Sequence, residues 1–234
     1  MTYVANGAPG FTFDVIIPAR DEAATVAAVV RAARCSRASR VIVIDDHSTD
    51  ATARIAAEAG AEVVTSRGRG NKAAALATGV AASSAPVLVF FDADILDARP
   101  EHFELLAAPL AEGFAMCCGL IDYGRAAAFY MRLPPITGLR AVRREVFDAV
   151  SAETRRGFQI EILINEVVAR GRMPSAIRVL AGARHRSKLR KMGVARGLAA
   201  HAAMTAQLLH CLTFIPWWTY IAYLRNLTVL GEGT

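Results

Sequence analysis

The stretch Pro86-Val87-Leu88-Val89-Phe90-Phe91-Asp92-Ala93-Asp94 constrains this chain more than any other. Its apolar residues, β-branched and aromatic among them, read as a strand buried on both faces. The strand stops at two carboxylates separated by one residue. If it continues, the two-residue side-chain period sends Asp92 and Asp94 the same way, and a hard divalent cation takes oxygen ligands of that kind. Acids at the carboxyl end of a buried strand also stand where open α/β sheets bind ligands. The competing reading is a helix N-cap followed by a surface loop, a place that Asp fills well.

The preceding stretches repeat the pattern. Phe13-Asp14-Val15-Ile16-Ile17-Pro18 reads as a short buried strand, after which Ala19-Arg20-Asp21-Glu22 turns into an alanine-rich helix reaching about Arg34. Arg40-Val41-Ile42-Val43-Ile44 is a second strand, closed by Asp45-Asp46-His47-Ser48-Thr49-Asp50. A helix over 51–59 ends at Gly60, and Glu62-Val63-Val64-Thr65 is a third strand. Strands alternating with helices imply parallel pairing and a layered α/β domain. The segment Ser66-Arg67-Gly68-Arg69-Gly70-Asn71-Lys72 runs into a helix over 73–82; its glycines, basic side chains and helix start suit a phosphate-facing loop, with a solvated basic turn as the plainer alternative. The Gly-Lys-Ser/Thr order of a Walker loop is missing. Downstream the pattern predicts a helix from Pro100, a strand over 114–120, a short strand and helix within 136–147, a helix over 158–169 and a last strand over 177–180.

Net charge of +6 suits an anionic partner such as a nucleotide, a phosphorylated acceptor or a lipid surface. Nucleic acid is not indicated, because the basic residues are scattered except between Arg184 and Arg196 and no aromatic-basic recognition motif is present. The four cysteines lack zinc-ligand spacing, which points to a reduced, cytoplasmic setting. Residues 1–13 carry no secretory signal pattern.

Val15-Ile16-Ile17-Pro18-Ala19-Arg20-Asp21-Glu22, Val43-Ile44-Asp45-Asp46-His47-Ser48-Thr49-Asp50, Gly70-Asn71-Lys72-Ala73-Ala74-Ala75 and Phe91-Asp92-Ala93-Asp94 together resemble the family 2 glycosyltransferases of the GT-A fold. Thr137-Gly138-Leu139-Arg140-Ala141-Val142-Arg143-Arg144-Glu145, Gly157-Phe158-Gln159-Ile160-Glu161 and Ser187-Lys188-Leu189 look most like polyprenyl-phosphate hexose synthases of the dolichol-phosphate mannosyltransferase type. Soluble glucosyl-3-phosphoglycerate synthases carry similar segments. The resemblance implies a Rossmann-like layered α/β fold with a mostly parallel central sheet over residues 1–192. A helical, aromatic C-terminal extension follows over 193–234.

It also implies a chemistry. Transfer of a hexosyl group from a UDP- or GDP-sugar releases a nucleoside diphosphate, whose charge must be offset. By the family's pattern Mg²⁺ or Mn²⁺ sits on Asp92 and Asp94, with Asp94 and Glu161 the catalytic carboxylates. Pro18, Ala19, Glu22, Asp45, Asp46, Lys72 and Asp92 face the nucleotide sugar. Polyprenyl-phosphate enzymes often carry a further polar residue where this chain has Leu96, and His185 is the expected replacement ligand. A phosphate acceptor is already ionised at neutral pH and needs cations, here Arg140, Arg186 and Lys188. A hydroxyl acceptor needs a base, here Glu161. The leading expectation is a lipid-phosphate acceptor; the alternative is a small phosphorylated one such as phosphoglycerate.

From Gly197 to Leu224, 28 residues contain no Asp, Glu, Lys or Arg. Pro216 splits that run, and Trp217, Trp218, Tyr220 and Tyr223 are of the type that settles at lipid headgroups. Peripheral contact with the inner face of a membrane is one expectation, packing on the domain or on a second copy in a homodimer another, and a bilayer span a third.

Overall fold

The computed structural model describes residues 11–122, 135–150, 160–185 and 217–231. Its elements are β1 (Phe13–Ala19), α1 (Val26–Arg34), β2 (Arg40–Asp45), α2 (Thr52–Glu58), β3 (Glu62–Thr65), α3 (Lys72–Ala82), β4 (Val87–Phe90), β5 (Ile95–Leu96) and α4 (Pro100–Ala111). They continue with β6 (Met116–Ile121), β7 (Arg140–Arg143), α5 (Arg144–Asp148), α6 (Ile160–Arg170), β8 (Ser175–Leu180), β9 (Arg184–His185), α7 (Trp217–Arg225) and β10 (Leu227–Val229). Eight strands form one sheet in the order β10-β8-β6-β7-β4-β1-β2-β3. Every neighbouring pair is parallel except those made by β7, which runs against both β4 and β6.

The apolar runs alternate between two cores, as a strand buried on both faces must. Val15, Ile17, Val87 and Val89 face α1 and α4, while Ile16, Leu88 and Phe90 face α3, α5 and α6. The expected elements are present with small shifts. The first helix starts at Val26 rather than after Ala19, because residues 20–25 are spent on a loop.

Two features depart from the period-2 reading of 86–94. β4 ends at Phe90, and Ala93 and Asp94 form a turn, so Asp92 and Asp94 are not alternate residues of one strand. The chain then makes β5, which pairs antiparallel with β9 as a separate two-stranded ribbon, in register Ile95↔His185 and Leu96↔Arg184. Two-residue strands leave no periodic trace in a sequence.

At the C-terminus the described residues join the main body. α7 packs on α6, Tyr223 is buried in the α3/α6 core, and β10 extends the sheet beside β8. Trp218, Ile221 and Leu224 face outward, with the Arg170 guanidinium 5.9 Å from the Trp218 ring centre. No helix among the described residues is long and apolar enough to cross a membrane. The boundary expected at 192/193 lies outside the described residues.

α3 lies close to the sheet because Gly79 has no side chain: a Cβ there would overlap Ile16 Cγ2 and stand 3.1 Å from Ile44 Cγ1. Gly79→Ala is expected to lower stability by about 1–3 kcal/mol through overpacking, despite the better helix former. A urea midpoint equal to or above wild type would contradict this.

Candidate functional site

Parallel strands bring their carboxyl ends to one edge, and the loops leaving β1 and β2 are knitted together there. Asp21, in the left-handed region at φ 52°, accepts from Thr49 N at 2.7 Å, and Ser48 Oγ accepts from Asp21 N at 3.1 Å. Thr52 Oγ1 accepts from Glu22 N at 2.8 Å, and Asp50 from Ala23 N at 3.2 Å. Ser48, Thr49, Asp50 and Thr52 thus fix the approach of the two loops, a role their motif did not reveal. Ala19 O accepts from Asp46 N at 2.8 Å, next to Pro18, which is paired with Ile44.

The acids expected to face a nucleotide each have a local bond. Glu22 is buried and accepts from Thr25 Oγ1 at 3.3 Å. Asp45 accepts from Ser48 N at 3.3 Å, closing the turn after β2. Asp46 accepts from Gly70 N at 2.9 Å, which anchors the glycine-containing basic loop to β2. Asn71 Oδ1 caps α3 by accepting from Ala73 N and Ala74 N.

Lys72, the first residue of α3, turns inward. Its Nζ lies 2.8 Å from Asp92 Oδ1 and 2.9 Å from Glu161 Oε1, joining α3, the end of β4 and α6. Burial acts to lower the lysine's pKa, but the two carboxylates outweigh it and hold the ammonium well above its usual range. Glu161 is buried, and its Oε2 has no hydrogen-bond partner among the described residues. Gly138 backs this triad: a Cβ there would overlap both Asp92 oxygens and approach Lys72 Nζ to 2.5 Å. Thr137-Gly138 was legible as a motif, whereas its close approach to Asp92 was not. Gly138→Ala is expected to separate Lys72 from Asp92 and to cost about 1–3 kcal/mol. An alanine variant of wild-type stability with an unmoved Lys72 amine resonance would exclude that packing.

The β5–β9 ribbon delivers the second pair. His185 Nδ1 stands 3.3 Å from Asp94 Oδ1, across 91 residues of sequence. Leu96 is partly exposed and offers no ligand, while Arg184 pairs with Asp97 at 2.5 Å. The hydrogen bond to Asp94 raises the imidazole pKa, against burial, which lowers it; the charges of Asp94 and Asp92 add to the rise. A raised folded-state pKa stabilises below the ordinary imidazole value and loses that contribution as pH rises through the folded value. In chelator-treated protein, His185→Asn should therefore cost more stability near about pH 5.5 than near about pH 8.5. The difference is small, about 0.2–1 kcal/mol, because both side chains are partly exposed. Equal urea-midpoint losses at the two pH values would argue against the pair.

Arg140 departs from expectation. Rather than facing an acceptor phosphate, it is 1% exposed and fully engaged inside the protein. Its guanidinium donates to Thr137 O at 2.7 Å, Glu161 O at 3.1 Å and Asn165 Oδ1 at 3.2 Å. A buried guanidinium must satisfy its donors locally, and here it ties β7 to α6. Arg186 and Lys188 lie outside the described residues.

A mostly parallel sheet with acids along its carboxyl edge, and a ribbon that brings a histidine to one of them, is a GT-A fold, shared with solved structures at a TM-score of 0.72. The chain belongs to glycosyl transferase family 2, whose family model matches residues 14–163. Glucosyl-3-phosphoglycerate synthase of Mycolicibacterium paratuberculosis is 33% identical over 114 residues, covering 44% of this chain and 35% of that protein. An uncharacterized glycosyltransferase of Mycobacterium tuberculosis is 29% identical over 209 residues, 80% of this chain and 93% of that protein. The Mycobacterium tuberculosis glucosyl-3-phosphoglycerate synthase in complex with Mn²⁺, UDP and phosphoglyceric acid is 27% identical, with TM-score 0.72 over 87% of this chain and 78% of that one. Its complex with Mg²⁺ and UDP gives 28% and 0.66 over 76% and 72%.

Proposed function

We propose that this chain is a metal-dependent glycosyltransferase that moves a hexosyl group from a UDP-sugar to a hydroxyl of a small phosphorylated acceptor. The observation that carries the choice of acceptor is Glu161, next to Asp92 and Lys72, whose buried Oε2 has no hydrogen-bond partner among the described residues. Such an oxygen fits a hydroxyl, which donates to it and gives up its proton there. A phosphate nucleophile would meet two carboxylates whose shared ammonium is already paired, and the burial of Arg140 removes one cation that a phosphate acceptor was expected to use. The structural neighbours whose complexes contain phosphoglyceric acid support the same reading.

The donor set fits Mg²⁺ or Mn²⁺. His185 Nδ1 and Asp94 Oδ1 are 3.3 Å apart, close enough for one nitrogen and one oxygen donor to share an ion. Asp94 and His185 would hold the ion, with Asp92 alongside. Among the described residues no three His, Cys, Asp or Glu side chains already form such a group, and Asp92 is turned onto Lys72. When bound, the ion acts as a Lewis acid that offsets charge on the departing diphosphate. Lys72 holds Asp92 and Glu161 in place, and Glu22, Asp45 and Asp46 line the edge that takes the nucleoside.

The lipid-phosphate reading draws on Trp218, Ile221 and Leu224, which face outward from α7. One set of assays separates the two. Calorimetry with UDP- and GDP-sugars and Mn²⁺ should show binding of a UDP-sugar that Asp94→Ala abolishes. Transfer to 3-phosphoglycerate or glycerol 3-phosphate should proceed without lipid or detergent. Glu161→Gln should retain donor binding while kcat falls about 100- to 10,000-fold. Transfer to a polyprenyl phosphate alone would establish the lipid reading, and failure of every donor to bind would end both.

A further inference from the structure

The geometry points to His102 as a positioning residue for the ion site: its imidazole holds the turn that delivers His185 to Asp94. This role rests on Asp94 and His185 being ion ligands, as proposed above, and His102 acts on them through the backbone.

His102 is in the first turn of α4 and is 3% exposed. Its Nδ1 accepts from Arg99 N at 3.2 Å, and its Nε2 lies 3.1 Å from Ala181 O. An Nδ1 that accepts leaves the proton on Nε2, so Nε2 donates to Ala181 and the tautomer is fixed. Burial, the largest influence, lowers the imidazole pKa, in keeping with a neutral ring. The ring is therefore a strut between the start of α4 and the end of β8.

What it braces leads directly to the site. After Ala181 the chain turns at Gly182, in the left-handed region at φ 78°, and Ala183 N bonds back to Leu180 O at 3.0 Å. Two residues later His185 meets Asp94. β9 has two residues, both exposed, so its own ladder can contribute little to holding the imidazole in place. An ion site tolerates displacements of only a fraction of an ångström in its donors. Asp122 also holds the turn, its N–H donating to Ala183 O at 3.1 Å and its Oδ2 accepting from Gly182 N at 3.4 Å, and Arg184 pairs with Asp97; the carbonyl anchored by His102 four residues upstream adds the buried tether.

Two substitutions separate this tether from the capping of α4. His102→Asn keeps an acceptor near the Nδ1 position but is too short to reach Ala181 O. His102→Gln places an N–H near the Nε2 position. With UDP present, Mn²⁺ binding followed by the paramagnetic resonance of the free ion should weaken about 10- to 100-fold in H102N and stay close to wild type in H102Q. In ion-free protein, hydrogen–deuterium exchange over residues 182–185 should quicken in H102N and not in H102Q. Both variants should keep the wild-type circular dichroism spectrum; should H102N fail to fold, His102→Ser takes its place. Wild-type Mn²⁺ affinity and exchange in a folded H102N protein would reduce His102 to a helix cap, and equal losses in both variants would also overturn the tether. If the wild-type protein binds no Mn²⁺ with UDP, the ion reading fails by itself, and the exchange data still decide whether His102 holds the turn.

Discussion

A single ammonium holds the centre of this protein together. Two carboxylates from different parts of the chain, Asp92 after β4 and Glu161 on α6, converge on Lys72 at 2.8 and 2.9 Å. Without a cation between them, like charges at that separation in a partly dry environment would force α6 away from the sheet or leave one acid protonated. Breaking such a pair by deleting one partner is far more costly than replacing the whole group with apolar residues. The triad is therefore weak evidence for stability; its effect is to keep two acids side by side, as the proposed site requires. Gly138 completes it by giving up the volume that the carboxylate and ammonium occupy.

Arg140 serves the same end from below. Its guanidinium takes the carbonyl of Glu161 and the amide oxygen of Asn165, so the helix that carries Glu161 is bolted to β7, which runs against both of its neighbours in the main sheet. A cation in the resembling motif thus works on the acid's backbone instead of on a substrate. Motif resemblance assigns a residue type to a place in the chain, and burial decides what that residue can touch.

The parts of the fold legible in the sequence were those with a period. β1, β2, β3 and β4 and the helices after them announce themselves by apolar runs and caps, and the parallel order follows from their alternation. The acids at the strand ends were legible for the same reason. Illegible were contacts that depend on distant chain: the Lys72 bridge to Glu161, the clamp on Arg140, and the ribbon of Ile95–Leu96 with Arg184–His185. His185 was reached through family resemblance, since a lone histidine has no pattern. α7 and β10 were hidden because an apolar aromatic run reads alike whether it meets lipid or a protein core, and only the burial of Tyr223 and the pairing with β8 distinguish the two.

The ribbon has a kinetic consequence. Its two strands are separated by about ninety residues, and joining them early would cost loop-closure entropy that two backbone pairs cannot repay. The ribbon can close only after β6 and β8 have paired and shortened the effective loop. During synthesis the acids that follow β1, β2 and β4 therefore emerge well before His185, so the pairing of Asp94 with His185 belongs to a late stage of folding.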